Sequence, residues 1–453
     1  MEASESTPAY SVRARMTIGA RPCERRQPFM IRDIGREVVE LIKDASDVVG
    51  RLMRDTERYL AVAVVIRRLV ENFMTRHGVP GVSLAIAYKG RLVFSKGYGF
   101  ADTATQEPVT TKHLFRIASL SKPITAVAIF RLLQERRLSP NLGEGWVPAL
   151  RLDEKVFGQG SILGTTFGTP PANSDIDQIT VQHLLENTSG WTNNPSDIMF
   201  DPARINDTQD DLIAWMVANR PLAHKPPGTY HVYLNFGYLV LGRVIEARSG
   251  MRYADYVRQA VLTACGISDM HIAGNTLADR RPNEVRYYPG PGSASDPYGI
   301  LVRRMDAHGG WIASPTDLVR FLVRVDGLPT LPDILSPALI QTMVTPTSAN
   351  LPPATPGGTT TPANYAKGWA VHSSVAAGQD NYWHAGDLAG TAAFFVRTTD
   401  NYCFAFLANS RDDASDTKLD QMRTDMDELW WDIKKGVERG RNPDRVWPTG
   451  TLL

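Results

Sequence analysis

The segment Phe115–Pro123 (FRIASLSKP) places a lysine three residues after a serine, at the start of an apolar run. A serine hydroxyl is a poor nucleophile until a base removes its proton. Because positions i and i+3 share one face of a helix, Lys122 is expected within reach of the Ser119 hydroxyl. Burial can lower the pKa of a lysine towards neutrality, and amides at a helix N-terminus can stabilise an oxyanion. These residues predict nucleophilic catalysis by Ser119 with Lys122 as its base.

The same Ser-x-x-Lys spacing recurs at Ser415 and Lys418, but a polar run with charges of both signs follows it. Serine is a common N-cap residue, so Ser415 is interpreted as the start of an ordinary surface helix. The apolar run Ile124–Leu132 follows only the first match. It predicts a buried helix that fixes the position of Ser119.

A second candidate element is Tyr233-Leu234-Asn235, which is the single Tyr-x-Asn in the chain. A tyrosine beside a lysine can act as a phenolate or can relay a proton to a leaving group. The Asn235 amide can hold the lysine or the carbonyl of a substrate. Taken alone, Tyr233 would be interpreted as a half-buried aromatic residue in a loop.

The third element is His384-Ala385-Gly386, which precedes a strand predicted at 390–397. A glycine at the opening of a strand lets another backbone approach closely. The N–H of Asp387 is expected to complete an oxyanion hole with the N–H of Ser119. A second His-x-Gly begins at His308, where we expect only a turn before a helix.

The composition is that of a globular protein and excludes several functional classes. The chain has 453 residues, of which 43% are hydrophobic, and 49 basic against 48 acidic side chains give a net charge of +1. This balance predicts neither nucleic-acid binding nor attraction to an anionic membrane. Cys23, Cys265 and Cys403 form no CxxC pair and HExxH is absent, so we expect no metal and no organic cofactor.

Neither a secretory signal nor a membrane span is expected from the sequence. The longest early apolar run, Leu60–Ile66, is too short to span a bilayer. Residues 1–30 lack the apolar core of a secretory signal. A cytoplasmic protein is therefore expected.

Hydrophobic periodicity predicts an α/β (α+β) fold, with strands near both ends and a helical block between them. Residues 1–58 are predicted to form an N-terminal extension with an amphipathic helix at 30–58, which packs on its own domain or joins copies as a homo-oligomer. Residues 59–453 are predicted to form the catalytic domain. Its predicted sheet part covers 59–135 and 300–440, and its predicted helical part covers 150–300. The predicted strands are 82–88, 91–98, 366–374, 390–397 and 402–409. The predicted helices are 60–76, 416–438 and one that begins at Ser314.

The order Ser-x-x-Lys, Tyr-x-Asn and basic residue-x-Gly resembles the serine β-lactamase and penicillin-binding-protein family over about residues 60–435. It is most similar to the class C branch, with its family VIII esterases, D-aminopeptidases, D,D-peptidases and acyltransferases. The resemblance implies a central, mostly antiparallel sheet flanked by helices, with a helical insertion. It also implies that Ser119 is acylated, that Lys122 and Tyr233 handle protons, and that Asn235 and His384 line the site.

The sequence departs from the family pattern where a substrate carboxylate would bind. Many relatives have Lys-Thr/Ser-Gly, whereas this chain has His384-Ala385-Gly386. Ala385 cannot donate a hydrogen bond, and a histidine is at most partly charged at neutral pH. Asp387 is expected to repel anions, and Asn187 stands where the family often has histidine. A neutral ester or amide is therefore the expected substrate.

Alternative functions remain open at this point. Acyl transfer to an alcohol or amine differs from hydrolysis only in the second nucleophile, and a D-amino-acid amidase or D,D-peptidase would use the same residues. The non-enzymatic alternative is a catalytically silent scaffold that binds partners through the 30–58 helix. Aromatic residues predicted to wall the pocket, or else to pack in the core, are Trp311, Trp383, Tyr287 and Tyr288.

Overall fold

A computed structural model describes Lys43 and residues 57–138, 146–353, 361–372, 380–439, 441–447 and 450–453. Apart from Lys43 and Glu57, these residues belong to the compact unit Arg58–Leu453. The helix predicted at 30–58 lies almost wholly outside the described residues, so its role stays a prediction.

The bounds of the elements follow the sequence predictions closely at both ends of the chain. The described helices are α1 (57–77), α2 (Ser121–Gln134), α3 (Val181–Leu185), α4 (Gln209–Asn219), α5 (Asn235–Ser249), α6 (Tyr253–Val257), α7 (Pro315–Leu322), α8 (Pro337–Val344), α9 (Asp416–Glu438) and α10 (Pro443–Val446). The described strands are β1 (Gly81–Tyr88), β2 (Arg91–Asp102), β3 (Glu107–Pro108), β4 (Phe115–Arg116), β5 (Arg136–Leu138), β6 (Trp146–Pro148), β7 (His271–Ile272), β8 (Trp311–Ala313), β9 (Asn350–Leu351), β10 (Thr361–Pro362), β11 (Ala370–His372), β12 (Asn381–Leu388), β13 (Thr391–Arg397), β14 (Tyr402–Ala408) and β15 (Thr451–Leu452).

The main sheet is antiparallel, with strand order β11-β12-β13-β14-β1-β2-β15 and β3 added on β2. Strand β1 is buried at every position because helices cover both faces of the sheet. Alternation along the strand directs Leu84 towards α1 and α9, and Ala85 towards the core that includes α2 and α7. This arrangement is the helix-flanked, mostly antiparallel sheet that the family resemblance implied.

Local signals account for the helices that border the functional residues. Helix α2 buries Ile124, Val127 and Leu132 among its apolar positions, as its sequence predicted. Helix α7 begins with a capping box in which Ser314 and Asp317 exchange hydrogen bonds. Helix α9 begins at Ser415, whose side chain accepts from the N–H of Lys418. The second Ser-x-x-Lys is therefore a helix cap.

Strand β12 is a strand of the main sheet that the sequence predictions missed. His384 was predicted to precede a strand, but it lies within β12, which pairs with β13 from Tyr382 to Leu388. The strand alternates half-buried and buried positions, while its asparagine, glycine and aspartate are residues that strands usually avoid. The strand predicted at 366–374 is shorter, since β11 covers three residues. In the described part of the chain, no helix is long and apolar enough to cross a membrane.

Candidate active site

The motifs that are distant in sequence meet at one cavity of about 720 Å³. Its lining includes Ser119, Tyr233, Asn235, His384 and Asp387. Ser119 comes from the turn before α2 and Asn235 from the start of α5, with Tyr233 just before it. His384 and Asp387 come from β12. The structure thus brings together all three elements that the sequence singled out.

Ser119, the predicted nucleophile, lies on a strained turn, the short 3₁₀ segment Ala118–Leu120 that leads into α2. Ala118 has φ of +47°, a left-handed conformation that is costly for a residue with a side chain. The turn is held from behind, because the N–H of Ile117 donates to the Trp311 carbonyl oxygen at 3.0 Å. The backbone therefore presents Ser119 to the cavity in a fixed conformation.

Lys122 is fully buried, and it lies within reach of the Ser119 hydroxyl, as the i, i+3 spacing predicted. Its Nζ donates to Ser119 Oγ at 2.8 Å, to Asn235 Oδ1 at 2.7 Å and to the His308 carbonyl oxygen at 3.2 Å. These three acceptors use all the donors of the ammonium group. Lys122 is thus held on the serine oxygen from which it would take a proton.

Burial lowers the pKa of Lys122 to about 7, and the charges of Asp197 and Asp387 oppose this shift. A lysine in this range is a free base in a large fraction of molecules near neutral pH. The amine is therefore able to accept a proton from the hydroxyl that it contacts.

Tyr233 lies over the lysine, with Lys122 Nζ 4.6 Å from the ring centroid. The residue is 36% exposed and lines the cavity. Desolvation raises the pKa of the Tyr233 phenol well above its ordinary value, and a hydrogen bond with the Ser119 side chain only partly offsets the rise. The phenol is therefore protonated at neutral pH, which favours a proton-donating role over the phenolate that the sequence left open.

His384 is locked in one neutral form. Burial, followed by the charge of Lys122, lowers its pKa to about 3. Its Nδ1 lies 2.6 Å from the Ala385 carbonyl oxygen and its Nε2 lies 3.2 Å from Tyr365 Oη. A carbonyl can only accept, so Nδ1–H donates to it and Nε2 accepts from the tyrosine. Both ring nitrogens are occupied within the protein, so His384 lines the cavity without a free donor for substrate.

Gly386 is the point where β12 passes over the nucleophile. A Cβ at this position would lie 2.5 Å from the Ile117 carbonyl oxygen and 2.8 Å from the Ser119 nitrogen. Only glycine allows this approach of the two backbones. The neighbouring Asp387 N–H remains our prediction for the second oxyanion donor.

The side chain of Asp387 corrects one sequence expectation. Its carboxylate accepts from Arg411 at 3.0 Å and from Arg423 at 2.8 and 3.1 Å. Two guanidinium groups that also line the cavity thus offset its charge. The prediction that Asp387 repels anions was therefore wrong. The same arginines also bind Asp413 and Asp420, and neither is left as an unpaired cation.

Trp311 was predicted to line the pocket, and the structure places it elsewhere. It is fully buried, and its Nε1 donates to Tyr253 Oη at 3.0 Å. Its main-chain carbonyl oxygen accepts from Ile117 and so supports the turn that carries Ser119. Trp311 is not among the residues that line the cavity. Of the four aromatic candidates, Trp383 lines the cavity, whereas Tyr287 and Tyr288 bond to other parts of the chain.

Several site residues escaped the sequence analysis because no local motif marks them. Asp197 accepts from Asn235 Nδ2 at 2.8 Å, and Tyr365 fixes His384. Arg411 and Arg423 reach the cavity from the C-terminal part of the chain. His308, expected only in a turn, contributes an acceptor to Lys122 and lines the cavity. These contacts depend on tertiary packing, which spacing along the sequence does not express.

Comparison with known proteins agrees with this fold. The chain is 26% identical over 368 residues to penicillin-binding protein 4* of Bacillus subtilis (strain 168), covering 77% of this chain and 72% of the relative. It superimposes on the D-amino acid amidase of Ochrobactrum anthropi SV3 in complex with L-phenylalanine amide, with a TM-score of 0.62, 22% identity, and 83% and 99% of the two chains covered. An octameric penicillin-binding protein homologue from Pyrococcus abyssi gives a TM-score of 0.61 at 22% identity, covering 84% and 78%. The Beta-lactamase family model matches residues 66–425, so the chain belongs to the beta-lactamase family.

Proposed function

We propose that the protein is a serine hydrolase that cleaves a neutral ester or amide through an acyl-enzyme. The observation that carries the proposal is the 2.8 Å contact between Lys122 Nζ and Ser119 Oγ at the edge of the cavity. A buried lysine with a pKa of about 7 has few structural uses, and here it contacts a serine hydroxyl whose residue lines the cavity.

In the acylation step, Ser119 Oγ bonds to the substrate carbonyl carbon while its proton passes to neutral Lys122. The carbonyl electron pair moves to oxygen, where the N–H groups of Ser119 and Asp387 are proposed to bind it. Collapse of this intermediate restores the carbonyl and breaks the bond to the leaving group. The leaving oxygen or nitrogen takes a proton from Tyr233, which recovers one from the Lys122 ammonium.

Deacylation repeats the sequence with water as the nucleophile. Water bonds to the acyl carbon and gives a proton to Lys122, and the ester bond to Ser119 Oγ breaks as that proton returns to the serine. The products are a carboxylic acid and the free enzyme. An alcohol or amine in place of water would give acyl transfer, and the geometry of the site is compatible with both acceptors.

The charge state of the cavity supports a neutral substrate. His384 is uncharged and has no free ring nitrogen, and Ala385 offers no hydroxyl. Arg411 and Arg423 are engaged by aspartates. Each arginine in the described cavity lining is thus already paired with two carboxylates, which supports an uncharged substrate.

The test compares p-nitrophenyl butyrate with p-nitrophenyl hemisuccinate, which have acyl chains of similar length and differ by one carboxylate. We expect kcat/KM to be at least about tenfold higher for the neutral ester, since an unpaired charge gains nothing in this cavity. Preference for the hemisuccinate would contradict the substrate assignment. Absence of both turnover and phosphonate labelling would contradict the hydrolase assignment and favour a scaffold. Added alcohols, amines and D-amino acid amides then separate hydrolysis from acyl transfer and from amidase activity.

A further inference from the structure

Asp197 is a carboxylate next to the site that the proposed mechanism does not use. It is half-buried, precedes the one-turn segment Ile198–Phe200, and does not line the cavity. Its Oδ1 accepts from the N–H of Met199 at 3.0 Å, and its Oδ2 accepts from Asn235 Nδ2 at 2.8 Å. Each oxygen thus has its own donor.

These contacts decide which way the Asn235 amide faces. A primary amide has one accepting and one donating end. Because Asp197 can only accept, it binds the NH₂ end and leaves Oδ1 directed at Lys122 Nζ, 2.7 Å away. The flipped amide would set two donors against each other at Lys122 and would leave the carboxylate facing an oxygen.

We propose that Asp197 is a positioning residue that fixes the Asn235 amide and thereby holds Lys122 in place as the base for Ser119. The inference rests on the proposed function, because it assigns Asp197 a role only in so far as Lys122 activates the serine. It predicts a hydrogen-bonded chain of four side chains, Asp197, Asn235, Lys122 and Ser119, that acts as one unit.

The charges around Lys122 give a second, independent reason. Asp197 and Asp387 both raise its pKa against burial, but Asp387 is neutralised by its two arginines. His384 and His308, which face the lysine from β12 and from the segment before β8, have lowered pKa values and are neutral. In the described part of the chain, no lysine or arginine pairs with Asp197. Its carboxylate is therefore the main uncompensated charge that acts on Lys122.

The test compares Asp197→Asn with the matched control Asp201→Asn. Asp201 is also half-buried and also caps a one-turn segment, by accepting from the N–H of Ala203 at 2.9 Å, but it has no contact with Asn235. Two measurements are made on full-length protein: the pH dependence of Ser119 labelling by a fluorophosphonate, and an NMR titration of lysine ¹³Cε, with the Lys122 resonance assigned from Lys122→Met.

For Asp197→Asn we expect two effects. Loss of the negative charge lowers the pKa of Lys122, so its titration shifts to lower pH by roughly half to one unit. Loss of the fixed amide orientation lowers the plateau labelling rate by roughly 10- to 100-fold. Asp201→Asn should titrate as wild type and label within about twofold of it.

The two failures are distinguishable. If Lys122 titrates identically in Asp197→Asn and wild type, Asp197 does not act on the lysine. If Asp201→Asn lowers the labelling rate as much as Asp197→Asn does, the loss reflects the fold of this loop, which thermal melts of both variants would also register. Either result overturns the inference. Wild-type protein that does not react with the fluorophosphonate would contradict the proposed function. The NMR titration would still measure the effect of Asp197 on Lys122.

Discussion

At the scale of residues, the surroundings of Lys122 and Tyr233 shift their pKa values in opposite directions. Burial brings the pKa of Lys122 down to about 7, whereas desolvation moves the pKa of Tyr233 upwards. In the proposed mechanism, one group therefore acts as a base and the other as an acid at the same pH. Sequence spacing singled out both residues, and their burial and contacts support the proposed roles.

This assignment predicts the pH dependence of acylation. The base form of Lys122 predominates above its pKa, so the rate of Ser119 labelling should rise with pH through about 7 and then level off. Stopped-flow labelling between pH 5 and 9 measures this limb. A rate that is flat across neutrality, or that falls as pH rises through 7, would argue against Lys122 as the base.

The role of Tyr233 is tested by the leaving group. Replacement Tyr233→Phe removes the proton donor, so cleavage of a butyrate ester of a simple alcohol should lose about 100-fold or more in kcat/KM. The p-nitrophenyl ester needs little protonation of its leaving group and should lose much less. Equal losses for both esters would point to a purely structural role for the hydroxyl, because packing defects do not depend on the leaving group.

At the scale of elements, the sequence predicted what local patterns express. The hairpin β1–β2, the buried helix α2 and the capped helices α7 and α9 lie where periodicity and capping residues placed them. Strand β12 was missed, because its register depends on pairing with β13 and on the passage of Gly386 over the nucleophile. Trp311 was misplaced for a related reason, since an aromatic side chain in sequence gives no sign of which side it faces.

The close passage of β12 predicts the effect of Gly386→Ala. The added methyl group would press against the backbone of Ile117 and Ser119, so the strand has to move off the nucleophile. We expect kcat/KM to fall by about 100-fold or more, with a smaller effect on thermal stability. The matched control is Gly237→Ala in α5, where a Cβ meets Leu184 at an ordinary 3.6 Å. Comparable activity in both variants would show that β12 does not constrain the site.

At the scale of the whole molecule, residues from distant parts of the chain form one site. The nucleophile turn follows β4, the tyrosine precedes α5, and the arginines come from the segment after β14 and from α9. All of these lie in the unit Arg58–Leu453. The region 1–56 contributes no described residue to the cavity, and self-association through 30–58 stays a prediction.

Removal of residues 1–56 tests whether the N-terminal region contributes to the site. Because every described site residue lies beyond them, kcat/KM for a p-nitrophenyl ester should stay within about twofold of the full-length value. Light scattering on the same samples reports whether the mass per particle falls to that of one chain, as self-association through 30–58 requires. A large loss of activity in a folded truncated chain would show that the N-terminal region completes the site.

Acylation of Ser119 can be observed by intact mass spectrometry. Wild-type protein mixed with p-nitrophenyl butyrate and quenched in acid should gain the mass of one butyryl group. Ser119→Ala should gain none. The matched variant Ser415→Ala, in the second Ser-x-x-Lys, should acylate like wild type while losing about 1 kcal/mol of stability with its helix cap. An adduct that persists in Ser119→Ala, or that disappears in a folded Ser415→Ala, would contradict this account of the site.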